Sequence, residues 1–142
     1  MKEPQTKEIN GSIYTVSPLD AIEGSRMLTR IAKIIGPALE AIESPDLAKL
    51  NFGKLVALVM KGLAETDVDY LRDKFSGMTQ VKLGDGRDVR LKEVLSHQFA
   101  GEYGAMFEWM KFSMEVNFGD FFTVLRAKQA PAAAPASPAT ST

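Results

Sequence analysis

Phe99-Ala100-Gly101-Glu102-Tyr103-Gly104-Ala105-Met106-Phe107-Glu108-Trp109-Met110-Lys111-Phe112-Ser113-Met114-Glu115-Val116-Asn117-Phe118-Gly119-Asp120-Phe121-Phe122-Thr123-Val124-Leu125 carries eight of the chain's twelve aromatic side chains. At about 100° per residue, Phe99, Tyr103, Met106, Phe107, Met110, Met114, Phe118, Phe121 and Leu125 share one broad face. That is the core stripe of an amphipathic helix. Trp109, Phe112 and Val116 fall on a different face, and Glu108, Lys111, Glu115 and Arg126 fill much of the arc between. The helix therefore offers apolar surface in two directions. In one reading the second face packs against N-terminal helices of a small bundle. In the other, part of it stays open to receive a partner. Burying a large apolar side chain is worth roughly 1.5–3 kcal/mol, and a short chain that leaves many exposed aggregates. The pattern favours packing, with Phe118, Phe121 and Phe122 as the expected exposed exceptions.

Upstream, the helical pattern begins near Lys92, with an irregularity expected at Gly101 or Gly104. Met78–Leu83 and Val89–Leu91 predict two short strands around Gly84-Asp85-Gly86-Arg87-Asp88, since Val81 and Leu83 alternate with Gln80 and Lys82. A second hairpin is predicted at the N-terminus, where Lys7-Glu8-Ile9 and Ile13-Tyr14-Thr15-Val16 flank Asn10-Gly11. Asn-Gly suits a type I′ turn, whose two central residues take positive φ. The same residues match a glycosylation acceptor, Asn10-Gly11-Ser12, but the turn explains them better.

Between the hairpins lie helices. Ser17-Pro18-Leu19-Asp20 predicts a helix start, with Ser17 as cap and Pro18 in the first turn. Ile22, Met27, Leu28, Ile31, Ile34 and Ile35 follow at mostly helical spacing; Gly36-Pro37 should interrupt or kink the run, and Ala38-Leu39-Glu40-Ala41-Ile42 can resume it for about a turn. Ser44-Pro45-Asp46 punctuates again. A helix is expected from near Phe52 to Ala64, then another after a capping box in Thr66-Asp67-Val68-Asp69, stopping at Gly77. Past Ala127 the chain is almost wholly Ala, Pro, Ser and Thr, a composition with nothing large to bury and hence expected to be disordered.

The whole-chain balance excludes several functions. With 17 Lys+Arg against 18 Asp+Glu over 142 residues, there is no concentrated positive charge of the kind that neutralises nucleic-acid phosphates. Absent cysteines exclude disulfide scaffolds, thiol nucleophiles and thiolate metal sites. The most apolar run, Leu55–Met60, is bracketed by Lys54 and Lys61 and is far short of the roughly 20 residues a bilayer requires. The polar N-terminus carries no signal-peptide core, so a cytoplasmic protein is expected.

The catalytic inventory is thin. His97 is the one imidazole, so a two-histidine metal site cannot form, and no Gly-x-Ser-x-Gly elbow supplies a serine for a triad. Gly84-Asp85-Gly86 lacks the spacing of a phosphate loop. Asp85 with Asp88 is too few carboxylates for calcium, and Asp67, Asp69 and Asp73 read as a solvated helix face. No enzyme activity, cofactor or metal is expected.

Phe99-Ala100-Gly101-Glu102-Tyr103-Gly104 followed by Glu115-Val116-Asn117-Phe118-Gly119-Asp120-Phe121-Phe122 resembles the C-terminal signature of the tail assembly chaperones of long-tailed bacteriophages and prophages. The likeness extends in order through Asn10-Gly11, Ser17-Pro18-Leu19 and Leu28–Leu39, up to about Leu125. The resemblance implies a small, helical, non-enzymatic protein of the host cytoplasm. It would bind tail components, chiefly the tape-measure protein and also the tail-tube protein, and keep them soluble until the tube polymerises. The motif positions Asn117, Phe118, Gly119, Asp120, Phe121 and Phe122 carry over as partner-binding candidates, and Trp109 and Phe112 join them from the second apolar face. The alternative is a structural tail protein of the virion, a tube or completion component.

The expected fold is mainly α: a small helical domain over residues 1–127 with a minor β-hairpin, then a disordered tail over 128–142.

Overall fold

The computed structural model describes residues 3–40 and 52–129. Elements follow the order β1 (Gln5–Ile9), β2 (Ser12–Val16), α1 (Ala21–Glu40), α2 (Phe52–Gly62), α3 (Glu65–Gly77), β3 (Thr79–Lys82), β4 (Asp88–Arg90), α4 (Leu91–Gln98) and α5 (Tyr103–Gln129).

Both hairpins form where the turn chemistry places them. Asn10 and Gly11 take φ of 50° and 84°, so both central residues of the first turn are left-handed, as its strand twist requires. At the second, Gly86 has φ of 90°, and its amide donates to the Leu83 carbonyl at 2.9 Å.

The mainly helical fold class is overturned. The two hairpins are halves of one four-stranded antiparallel sheet, ordered β1-β2-β3-β4. Residues Ile13–Val16 of β2 pair with Thr79–Lys82 of β3, and the Ser17 amide prolongs the seam to the Met78 carbonyl at 2.9 Å. The protein is α+β, with the sheet as a full layer of the core. Among the described residues α1, α2 and α3 separate β2 from β3 in sequence, and pairing across such a distance leaves no local signature.

The sheet has two chemically distinct faces. Lys7, Tyr14, Val81 and Val89 form one row across all four strands, and Tyr14 and Val81 are buried with Val16 and Thr79. The neighbouring row, Glu8, Ile13, Lys82 and Asp88, is exposed. Helices therefore cover one side, the usual arrangement of an antiparallel sheet with a single solvated face. Tyr14 stacks on Phe99 with centroids 5.6 Å apart, and Phe99 stacks on Trp109 at 5.6 Å. Phe75 meets Trp109 edge-on. This aromatic column joins the sheet to α3, α5 and the α4–α5 turn.

Several helix boundaries differ from expectation, among them the end of α2, which stops at Gly62 rather than Ala64. α1 starts at Ala21, with Asp20 as its cap: Asp20 Oδ1 accepts from the Glu23 amide at 2.8 Å. Ser17 is instead drawn into the sheet seam. α1 then passes through Gly36-Pro37 to Glu40. A proline forfeits one i→i−4 hydrogen bond, yet the helix continues for three residues past it, and α1 as a whole packs on α2. α3 starts two residues earlier than the Thr66 cap implied. Asp67 accepts from the Ala64 amide at 3.1 Å, while the Asp67 amide donates to the Ala64 carbonyl. Ser44-Pro45-Asp46 lies outside the described residues. So does the expected disordered tail from residue 130, and α5 runs two residues past the boundary expected at 127.

Candidate functional site

A sharp corner positions α5. The helical pattern from Lys92 breaks after Gln98, and Gly101 turns the chain with φ of 78°. The Glu102 amide donates to Phe99 O at 2.8 Å, and Glu102 O accepts from the Met106 amide at 3.2 Å to open α5. The corner is tied to the first hairpin: Asn10 Nδ2 donates to Glu102 Oε1 at 3.3 Å, and Gln98 Nε2 donates to the Tyr14 hydroxyl at 2.9 Å. Burial pushes the Tyr14 hydroxyl above its ordinary pKa, so it stays a neutral partner for Gln98.

The predicted partner-binding residues scatter between core and surface. Trp109 is fully buried, and its indole Nε1 donates to Thr79 Oγ1 at 3.1 Å. Phe112 is half-buried beneath Lys7, whose Nζ lies 5.8 Å from its ring centre. Asn117 is a structural clasp: its Oδ1 accepts from the Leu19 amide at 2.8 Å, and its Nδ2 donates to Ser113 O at 2.9 Å. It thereby fixes the approach to α1 against α5. Phe118 is buried and Gly119 half-buried, while Asp120 is exposed and Phe121 is 45% exposed. Phe122 belongs to α5, and its side chain lies outside the described residues.

The apolar stripe of α5 is buried at its centre and open at its start. Met110, Met114 and Phe118 are buried, whereas Tyr103 is 63% and Phe107 48% exposed. Periodicity assigned Tyr103 and Phe107 to the core because it cannot tell where covering elements end. Phe99 leaves the stripe altogether, since the corner at Gly101 separates it from α5. A usable signal was the company these two rings keep: Glu102, Gly104, Glu108 and Lys111 make the first turns of α5 polar around them.

Two grooves flank this exposed ridge. One, of about 620 Å³, lies between Val56, Ala57 and Met60 of α2, Lys7 of β1, and Gly104, Phe107, Glu108 and Lys111 of α5. The other, of about 510 Å³, has Leu95, Phe99, Tyr103 and Met106 with Arg72 and Lys92 at its margin. Lys92 donates to Asp73 at 2.8 Å and holds that carboxyl below the usual carboxylate range. Arg72 pairs with Asp69. Among the described residues no group of three His, Cys, Asp or Glu side chains is placed to hold a metal. His97 is exposed in the last turn of α4. The site can offer shape, apolar contact and rim charge.

No helix among the described residues is long and apolar enough to cross a membrane. No curated protein and no solved structure matches the chain. A family model described as phage tail assembly chaperone protein, TAC, matches residues 10–131, from the first turn through the whole of α5. The chain belongs to the phage tail assembly chaperone family.

Proposed function

We propose that this protein binds apolar helical segments of the tail tape-measure protein in the host cytoplasm and keeps them soluble until the tail tube forms around them. The tail-tube protein is a further client. The observation that carries the reading is the open start of the α5 stripe: Tyr103 and Phe107 stand exposed between two grooves. A long client chain that must not aggregate needs its apolar stripes covered reversibly. Aromatic and methionine side chains do that through adaptable contacts, with no cofactor and no covalent step. Burying one large ring contributes roughly 1.5–3 kcal/mol, so several weak patches along a client give binding that can later be released.

In this reading the C-terminal motif divides its labour. Asp120 and Phe121 face the client, while Trp109, Asn117 and Phe118 hold α5 in position and Phe112 borders the surface. Co-expression with the tape-measure protein of the same phage, followed by pull-down, tests the proposal. The client should be soluble and co-purify only when this chain is present. A client that is monodisperse alone would overturn it. Mass spectrometry of purified particles separates it from a structural tail protein, since an assembly chaperone leaves before the virion is complete.

A further inference from the structure

β1 lies at the edge of the sheet and pairs with β2 alone. The Ser17 amide bonds to the Met78 carbonyl, which fixes the parity of β2. Ile13, Thr15 and Ser17 direct their backbone groups to β3, so Ser12, Tyr14 and Val16 direct theirs to β1. Their partners Ile9, Lys7 and Gln5 bond back to β2. Thr6 and Glu8 therefore turn N–H and C=O outward, four main-chain groups along an open edge.

Two cavities lie against this strand. The 620 Å³ groove has Lys7 as its β1 wall and Val56, Met60 and Phe107 as apolar lining. A smaller cavity of about 150 Å³ is bounded by Glu3, Gln5, Phe112, Glu115 and Val116. Neither includes a residue of β2, β3 or β4, so both open on the free side of β1. Gln5 and Lys7 are two residues apart on the helix-covered face, about 7 Å, which is the spacing of alternate side chains along a strand. A helix places its same-face side chains three or four residues apart and bonds its own backbone internally. An extended chain matches both the cavities and the open edge.

The smaller cavity is acidic. Glu3 and Glu115 are exposed and form no ion pair among the described residues. The Lys7 ammonium faces Glu108 at 4.0 Å and the Phe112 ring. Lys111, one turn before Glu115, lines the larger groove instead.

We infer that the β1 edge takes a fifth strand from another polypeptide, laid antiparallel like the rest of the sheet. A large apolar side chain of the guest enters the 620 Å³ groove. Two residues later a lysine or arginine lays its stem over Phe112 and brings its charge to Glu3 and Glu115. Main-chain bonds to Thr6 and Glu8 supply affinity, and the two cavities supply sequence preference. This goes beyond the client reading, which concerns helical segments, and it stands or falls separately. A second copy of this chain is a poor guest. A two-fold pairing centred on Lys7 sets Lys7 against Lys7, and one centred on Glu8 sets Glu8 against Glu8, like charges that destabilise a ladder. Centred on Thr6, it sets Glu8 against Pro4, which has no N–H to give.

The test uses the full chain and a fluorescein-labelled nine-residue peptide, all threonine except for Leu-Thr-Lys at its centre. Fluorescence anisotropy should show saturable binding. N-methylating the threonine before Leu and the threonine between Leu and Lys blocks the two amides that face β1, and should weaken binding at least about tenfold. N-methylating Leu and Lys instead blocks amides that face away, and should leave binding within about twofold. Replacing Lys by Glu in the peptide should weaken binding about tenfold, and the Glu3→Lys, Glu115→Lys double variant should reverse that preference. Thr6→Pro should remain folded by circular dichroism, because proline is tolerated on a free edge, and should lose the peptide. No saturable binding by the parent peptide overturns the inference, and so does an equal effect of the two N-methylation patterns. A concentration-dependent dimer that Thr6→Pro dissolves also overturns it, since the edge would then belong to a second copy. The N-methylated peptides decide the matter on the wild type even if Thr6→Pro does not fold.

Discussion

Trp109 of α5 donates its indole proton to the Thr79 hydroxyl of β3 across 3.1 Å, and that hydroxyl in turn donates to the Phe75 carbonyl at 2.7 Å. Trp109 and Thr79 are completely buried. One two-step relay thus joins the long helix, the sheet and the end of α3. The α5 surface stands where it does because this relay fixes the helix beneath it.

Replacing Thr79 by Val keeps the shape and removes the acceptor. The buried indole N–H is then left dry, at a cost of about 1–3 kcal/mol. Urea denaturation followed by Trp109 fluorescence should show a lower midpoint. Thr79→Ser, which keeps the hydroxyl, should recover most of the loss. An unchanged midpoint for Thr79→Val would show that the relay contributes nothing.

The Asn117 clasp gives a local prediction. Asn117→Ala removes the acceptor of the Leu19 amide, so hydrogen exchange at Leu19 should accelerate and stability should fall by roughly 1 kcal/mol. Asn117→Asp keeps that acceptor and loses the donor to Ser113, and exchange at Leu19 should stay slow. If the Asp variant exchanges as fast as the Ala variant, the clasp does not protect Leu19.

Gly62 ends α2 against α1. A Cβ there would lie 2.6 Å from Ile34 Cγ2, closer than packed carbons come, so the Ile34 side chain or the helix that carries it must shift. Gly62→Ala should destabilise by about 1–3 kcal/mol despite alanine's better helix propensity. Adding Ile34→Ala should relieve the clash, making the double variant less destabilised than the sum of its parts. Additive effects would place the strain elsewhere.

The α1–α3 seam predicts a pH response. Glu23 Oε2 lies 2.8 Å from Lys74 Nζ, and this ion pair, with Arg26 also adjacent, holds its carboxyl below the usual range and raises Lys74. A depressed carboxylate stabilises the fold above its unfolded pKa, and the contribution is lost as pH falls through the folded value. The raised lysine contributes below its ordinary pKa and loses that contribution in strong alkali. Glu23→Gln should therefore lower stability at neutral pH and flatten the loss between neutral and acid conditions. Added salt should shrink the difference between variant and wild type, because the pair is solvent-screened. Parallel acid limbs for the two proteins would contradict this.

Local chemistry was legible and distant partnership was not. Asn10-Gly11 and Asp85-Gly86 announced both hairpins because a turn's demands fall on the residues that make it. Nothing near Ile13–Val16 says that Thr79–Lys82 will lie beside it, so local patterns yield two separate hairpins among helices and not one sheet. The α5 stripe was found by its period, but period does not reveal coverage: Tyr103 and Phe107 share the face of Met110 and Met114 and lie in water. Trp109, placed on a second apolar face by the same arithmetic, meets the sheet that the sequence did not disclose. The family signature was readable because its segments occur in order along the chain.

The most direct test changes Tyr103 and Phe107 together to Ser. Tyr103 is 63% and Phe107 48% exposed, so the variant should stay folded, losing roughly 1–2 kcal/mol for the buried part of the two rings. Co-expressed with the tape-measure protein, it should leave that client in the insoluble fraction, where the wild type keeps it soluble. A folded double variant that solubilises the client as well as the wild type does would contradict the assignment of client binding to this surface.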